Sequence, residues 1–135
     1  MKRLIFIFII AFTIPAFANE GPKIEVMPQA WDFGKVTADK RLEHVFEVKN
    51  IGGADLIINN VSTSCGCTTA IISKNKLVRS ESTQLKVSLE PKEARASGKI
   101  KRDIFIESND PGQPIKTVSI ILELDAGMQS QYPES

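Results

Sequence analysis

The sequence has few of the side chains that most catalytic and metal sites require. Its 135 residues include one His, two Cys, one Trp and one Tyr. The only histidine is His44, and the sequence does not place an acid and a nucleophile beside it, so a Ser-His-Asp set is not supported. Because 17 Lys and Arg balance 16 Asp and Glu, there is no basic excess to favour nucleic acid, and no such partner is expected. The length suits one domain and excludes a large multidomain enzyme.

Long apolar runs are missing except at the N-terminus. Residues 4–14 read LIFIFIIAFTI, preceded by Lys2-Arg3 and followed by Pro15 and Ala16-Phe17-Ala18. This order is typical of a secretory signal peptide, here residues 1–18, rather than an uncleaved anchor. The run is too short to span a bilayer, which needs about 20 residues. We therefore expect an exported protein, periplasmic or secreted, with no transmembrane segment after cleavage.

The remainder of the chain has the composition and alternation of β-strands. Residues 19–135 contain 20 Val and Ile against 7 Leu, and β-branched side chains favour strands. Apolar residues alternate with polar ones, no stretch has helical spacing, and Gly, Pro and Asn interrupt the runs. The predicted strands are 23–27, 31–36, 41–50, 55–62, 68–73, 76–79, 83–89, 98–108 and 115–125.

These strands predict an all-β fold. An immunoglobulin-like antiparallel β-sandwich of about 7–9 strands over residues 19–126 fits best, with an open barrel as the alternative. Residues 127–135 are polar and are predicted to form a flexible C-terminal tail.

Unusual chemistry is confined to Cys65-Gly66-Cys67. Cysteines that pin the two sheets of an immunoglobulin domain are far apart in sequence, so this pair cannot do so. In a regular strand their Cα atoms would lie about 6.5–7 Å apart, at the edge of the usual disulfide range of about 4.4–6.8 Å. A bridge therefore requires a bent backbone, which Gly66 permits because it lacks a Cβ and accepts a positive φ.

Four interpretations of the pair compete. A local disulfide that shapes the loop is favoured by export to an oxidising compartment. A redox-active pair is the second, although no helix N-terminus or neighbouring base is evident to lower a thiol pKa. The third is a soft-metal site for Cu(I), with Met27, His44 and Met128 as the remaining soft ligands. The fourth is two free or intermolecularly bonded thiols.

The aromatic and imidazole side chains have structural interpretations. His44 shares the parity of Phe46 and Val48, which predicts a packed or hydrogen-bonded strand residue rather than a catalytic base. Trp31 and Phe33 alternate around a polar residue and are predicted to be core anchors.

Two polar patterns also have structural interpretations. The basic residues Lys99, Lys101 and Arg102, near Arg95, are predicted to guard a strand edge rather than bind an anion. Residues 60–62 read Asn-Val-Ser and match the glycosylation sequon, a triplet that also arises by chance.

Several segments in order resemble one bacterial family, the domain of unknown function 1573. They are WDFGKV at 31–36, FEVKNIGG at 46–53 with LII at 56–58, VSTSCGCT at 61–68 and IESNDP at 106–111. The resemblance covers residues 27–124, and Cys-Gly-Cys-Thr is its most specific part. One departure is at residues 79–82, where the family often has a Pro-Gly turn and this chain reads Arg-Ser-Glu-Ser.

The resemblance implies an exported module, similar to the immunoglobulin-like modules of the major sperm protein and cilium-associated type. It supplies no catalytic residues, and it marks Cys65 and Cys67 without a role. We expect a non-catalytic interaction or structural component of the cell envelope, without a cofactor, that binds an envelope protein or a glycan. The alternative is a thiol/disulfide redox or copper-handling protein that uses Cys65 and Cys67.

Overall fold

The computed structural model describes residues 20–125, which fold into two facing β-sheets. Nine strands lie at or close to the predicted positions, joined by one short 3-10 helix, Pro91–Glu93. The strands are β1 Ile24–Met27, β2 Ala30–Val36, β3 Leu42–Asn50, β4 Leu56–Thr63, β5 Thr68–Ile72, β6 Lys76–Leu77, β7 Ser82–Leu89, β8 Gly98–Ser108 and β9 Ile115–Leu124. The predicted all-β sandwich is confirmed. The predicted signal peptide, 1–18, and tail, 127–135, lie outside the described residues.

The two sheets have strand orders β1-β3-β7-β5 and β2-β9-β8-β4-β6. Every pair is antiparallel, as the predicted sandwich expects, except β2 and β9, which run parallel at one edge, a detail that the sequence pattern did not indicate. The physical reason is that alternation specifies which face of a strand is buried and carries no information on its direction. Within residues 20–125, no helix has the length and apolar character needed to cross a membrane.

The core lies between the sheets and is almost entirely aliphatic. Alternate residues of the strands point inward and bury their side chains completely. The largest of them are Phe46, Leu56, Leu77, Leu85, Leu89, Ile104, Ile106, Ile120 and Leu122.

Trp31 is the main correction to the predicted core. It is 40% exposed, and its ring stacks on His44 with the ring centroids 4.1 Å apart. β2 is an edge strand whose pairing shifts register between Asp32 and Lys35, where Gly34 has a φ of +71°. Such an edge buries less than a central strand, so Trp31 lies at the margin of the core, whereas Phe33 is half-buried and packs against it.

His44 adopts the packed arrangement predicted from its parity. Its ring lies between Trp31 and the edge of Phe46, whose centroid is 4.7 Å away. Burial lowers the pKa of the imidazole below its ordinary value, which favours the neutral form. Among the described residues, its Nε2 atom has no hydrogen-bond partner. His44 is therefore placed as a packing residue.

The basic cluster lies along a local edge inside the second sheet. The last β4–β8 pair is Thr63 with Ile104, so the first half of β8 extends beyond β4 and pairs only with β9. Lys99 and Lys101 are exposed there, as the edge-guarding interpretation expects. Arg102 differs, since it is half-buried and donates a hydrogen bond to the Ala94 carbonyl oxygen at 3.4 Å.

Candidate functional site

The cysteine segment is the connection that carries the chain from one sheet to the other. β4 of the second sheet ends at Thr63, and β5 of the first sheet begins at Thr68. A disulfide joins Cys65 to Cys67, and their Cα atoms lie 5.3 Å apart, closer than in an extended strand. The Thr68 N–H donates to the Cys65 carbonyl oxygen at 3.2 Å, which closes a turn. The backbone is thus bent, as a bridge at this spacing requires.

Hydroxyl groups on either side of the turn hold it in place. The Thr63 hydroxyl lies 2.9 Å from the Cys65 carbonyl oxygen and 3.1 Å from that of Thr68, so its single O–H is within hydrogen-bond distance of both acceptors. The Ser64 side chain accepts a hydrogen bond from the Asp103 N–H at 3.0 Å, which ties the turn to β8. The hydroxyl-rich sequence around the cysteines is therefore part of the local scaffold.

Gly66 stands at the tip of the turn and is exposed. Its φ is not in the left-handed region, and a Cβ placed on it would meet no atom within 4 Å. The shaping role predicted for Gly66 therefore does not come from a positive φ. Its consequence here is that the tip of the turn carries no side chain between the two cysteines.

The two sulfur atoms have different surroundings. Cys67 is 6% exposed and belongs to the apolar core, whereas Cys65 is half-buried at its margin. The Cys67 N–H donates to the Cys65 Sγ atom at 3.1 Å. The Cys67 Sγ atom lies 3.7 Å from the Thr68 hydroxyl oxygen. A reagent from solvent would therefore reach Cys65 before Cys67.

An open hollow of about 680 Å³ lies beside the disulfide. It is lined by Cys65, Gly66, Cys67, Lys92, Glu93 and Arg95. Strand pairing creates it: Thr68 pairs with Leu89, and the Glu90 N–H donates to the Cys67 carbonyl oxygen at 3.0 Å. The segment that follows β7 is thereby held against the cysteine turn.

Sequence reasoning missed this hollow. It did not single out Lys92, and it grouped Arg95 with the basic residues of β8. Lys92 and Arg95 lie beside the cysteines because β5 pairs with β7. This is a long-range contact that local sequence patterns do not indicate. The tertiary structure thus places two cationic side chains, Lys92 and Arg95, and one carboxylate, Glu93, in the lining of a hollow beside the disulfide.

The copper interpretation gains no third ligand from the described residues. Met27 ends β1 and is 63% exposed, and His44 is stacked on Trp31. Within residues 20–125, no group of three or more His, Cys, Asp or Glu side chains is placed to hold a metal ion. Met128 lies outside that range. Of the described members of the predicted ligand set, the structure brings together only the two cysteine sulfurs.

A second surface lies on the other side of the same connection, between β4 and β5. β6 pairs with Leu56 and Ile57, and the Ile58 N–H donates to the Asn75 carbonyl oxygen at 2.7 Å; beyond Ile58, no strand of residues 20–125 lies on that side of β4, and β5 ends its own sheet. The edges enclose an open groove of about 390 Å³. Its apolar lining is Ile58, Val61, Ala70, Ile71 and Ile72, and its polar lining is Asn59, Asn60 and Asn75. Asn60, the first residue of the sequon, is exposed.

Comparison with protein families identifies the chain. The model for a family described as proteins of unknown function, DUF1573, matches residues 24–123. The chain belongs to the DUF1573 family. The resemblance predicted from the sequence is thus confirmed, and all the segments that suggested it lie within the matched range. No curated protein matches this DUF1573 chain significantly.

Solved structures agree on the fold. A protein of unknown function from Porphyromonas gingivalis is 26% identical, with a TM-score of 0.70 over 83% of this chain and 51% of its own. The YadV chaperone is 10% identical (TM-score 0.56; 76% of this chain, 52% of its own). The ASH/PapD-like domain of human CEP192 is 13% identical (TM-score 0.50; 76% and 84%). The DUF1573 chain spans about half of the Porphyromonas gingivalis protein. The last two likenesses show the immunoglobulin-like fold alone.

Proposed function

We propose that this DUF1573 protein is an exported, non-catalytic module of the bacterial cell envelope that binds an extended polypeptide segment in the groove between β4 and β5. The observation that carries the proposal is a pair of strand edges without partner strands in the described residues, on either side of a groove lined by aliphatic and asparagine side chains. Ile71, on β5, is 61% exposed. An extended segment can add to such an edge through main-chain hydrogen bonds while its alternate side chains fill the groove.

The composition of β5 supports this choice of edge. Proteins usually protect sheet edges with charged residues or proline. Of the four strands that end the sheets of residues 20–125, β1, β2 and β6 contain charged residues, whereas β5 reads Thr-Thr-Ala-Ile-Ile. The local edge of β8 is guarded by Lys99 and Lys101. An unguarded edge beside an apolar groove is suited to pairing with another chain.

The lining of the groove favours a polypeptide over a glycan. Its apolar part consists of aliphatic side chains and offers no aromatic face on which a sugar ring could stack. Trp31, which is exposed, lies on β2 and is already stacked on His44. An envelope protein is therefore the proposed partner. Export is supported by the signal-like residues 1–18 and by the disulfide, since disulfides persist mainly in oxidising compartments.

Ile71→Lys is expected to weaken peptide binding at least about tenfold. This factor corresponds to a loss of about 1.4 kcal/mol of binding free energy. The probe is a set of fluorescent ten-residue peptides in which Val or Ile alternates with Ser or Lys, titrated by anisotropy. Val45→Lys is the matched control, because Val45 is an exposed β-branched residue that, like Ile71, pairs in register with Lys86. It is expected to change the affinity less than twofold.

Hydrogen exchange locates the bound peptide. Binding should protect those amides of residues 59–63 and 69–72 that point to the free strand edges, since the alternate N–H groups already pair with β8 or β7. Protection at another sheet edge, equal losses in the two Lys variants, or binding of sugars but of no peptide would contradict the proposed function. Export is checked on native protein by mass spectrometry, which should find an N-terminus at Asn19.

A further inference from the structure

The disulfide borders a hollow lined by both of its cysteines, by Lys92 and Arg95 and by Glu93, and Cys65 is the more exposed of the two cysteines. We propose that it is a thiol–disulfide exchange site that donates its disulfide to a dithiol polypeptide, and that Cys65 is the sulfur attacked. This proposal uses the hollow lined by Lys92 and Arg95 and does not rest on peptide binding in the groove.

Access decides which sulfur is attacked. Both cysteines border the hollow, but Cys67 is buried in the core, whereas Cys65 is only half-buried. Gly66, between them, carries no side chain, and a Cβ at its position would meet only open space. A thiolate of the partner forms a bond to the Cys65 Sγ atom, the bond between the two cysteines breaks, and Cys67 takes the electron pair and then a proton.

The second step releases Cys65. The partner's other thiolate attacks the partner sulfur of the mixed disulfide, and Cys65 leaves with the electron pair as a thiolate, which later takes a proton. The partner's two thiols become a disulfide, and the protein's disulfide becomes two thiols, so two electrons and two protons are transferred. No oxidant other than the protein's own disulfide is needed for this single exchange.

The structure around Cys65 favours this thiolate as a leaving group. The Cys67 N–H already points at the Cys65 Sγ atom from 3.1 Å, and the hollow beside it is lined by two cations, Lys92 and Arg95, against one carboxylate, Glu93. Hydrogen-bond donors and cations stabilise a thiolate, and a thiol of lower pKa leaves faster.

The same features determine the direction of exchange. Stabilising the reduced form makes a disulfide a stronger oxidant. The ring closes over residues 65–67 only, and a short loop contributes the least stabilisation to a disulfide in the chain-entropy description. Both effects favour donation of the disulfide over its formation.

The two single-cysteine variants test which sulfur reacts. In the full chain at pH 7, the Cys67→Ser variant is expected to form a mixed disulfide with oxidised glutathione at least about tenfold faster than the Cys65→Ser variant. Mass spectrometry measures both rates. If either variant fails to fold, the reduced wild-type chain is alkylated with limiting iodoacetamide, and peptide mapping should find Cys65 labelled first. Equal rates, or faster reaction at Cys67, would overturn the proposal.

A charge variant tests the hollow. Wild-type protein is mixed with a reduced synthetic peptide that contains two cysteines, and chromatography follows formation of the peptide disulfide. Arg95→Gln is expected to slow the reaction by a factor of about three, because it removes a cation that stabilises the thiolate. Arg79→Gln is the matched control, since Arg79 is exposed and does not line the hollow.

Two further results of the exchange assay would count against the proposal. A peptide that stays reduced, or equal rates in the two Arg variants, would reject the exchange site. Ile71→Lys is expected to leave exchange unchanged, and Arg95→Gln is expected to leave peptide binding in the groove unchanged. Failure of this proposal can therefore be told apart from failure of the proposed function.

Discussion

Replacing Asn50 by Ala is expected to lower the free energy of unfolding by about 3–4 kcal/mol. The side chain of Asn50 is completely buried, and its amide group donates to the Ala54 and Leu77 carbonyl oxygens at 2.8 and 3.0 Å. Its oxygen accepts from the Gly52 N–H at 3.0 Å and from the Lys23 N–H at 3.4 Å. Truncation leaves these backbone groups without their hydrogen-bond partner. Each buried polar group left unpaired costs about 1–3 kcal/mol of stability before the structure relaxes.

Urea unfolding at pH 7 measures this loss. Asn59→Ala is the control, because Asn59 is exposed, and its change is expected to stay within about 0.5 kcal/mol. A loss below about 1 kcal/mol for Asn50→Ala would contradict the role assigned to this side chain.

The Asn-x-Gly sequence at 50–52 follows from the same contacts. A Cβ on Gly52 would come within 2.2 Å of the Gly21 carbonyl oxygen, so the chain before β1 can pack here only against a glycine. Asn50 satisfies the polar groups around this close approach. This segment, which contributed to the family resemblance, therefore has a structural role and is not available as a binding site.

Replacing Asp110 by Ala is expected to cost about 3 kcal/mol of stability at pH 7. The carboxylate is buried between β8 and β9 and accepts hydrogen bonds from the N–H groups of Ile24, Gly112 and Gln113 at 2.9, 2.8 and 3.2 Å. Ile24 belongs to β1 in the opposite sheet, so this side chain joins the two sheets. Hydrogen bonds to a charged acceptor are stronger than those between neutral groups.

The stability that Asp110 contributes is expected to depend on pH. Burial raises the pKa of this carboxyl, but the three backbone N–H groups and Lys23 outweigh burial, and the pKa lies below its ordinary value of 3.8. A carboxyl with a lowered pKa in the folded state stabilises the fold above its unfolded pKa and loses this effect as the pH falls through the folded value.

Asp110→Asn isolates this effect, since the amide oxygen can still accept hydrogen bonds while the charge and one acceptor are removed. The stability difference from wild type should be constant above about pH 5 and should shrink as the pH falls below about 4. Urea unfolding at several pH values measures it, with Asp55→Asn at an exposed position as the control. A difference that stays the same from pH 7 to pH 3 would show that the carboxylate is not held by these bonds.

Local pattern accounts for the elements that sequence alone predicted well. Strand positions follow from alternation, which depends only on near neighbours, so all nine strands lie at or near the predicted residues. The bend at Cys65 and Cys67 follows in the same way, because a bridge at this spacing cannot close over an extended backbone.

Contacts between distant residues decided everything else about the candidate sites. The exposure of Trp31 depends on β2 being an edge strand, and the parallel pairing of β2 with β9 leaves no trace in either segment. Lys92 and Arg95 lie beside the disulfide because β5 pairs with β7.

Composition, alternation and the order of the motifs were sufficient to predict the all-β character of the chain, its strands, its family and its closely spaced cysteine pair. Strand pairing established which edges of residues 20–125 lack a partner, which cysteine is the more exposed and which charges line the hollow beside it. The physical reason is that the faces of a strand are set by a local period of two, whereas edges, hollows and exposure arise from pairing between residues far apart in the chain.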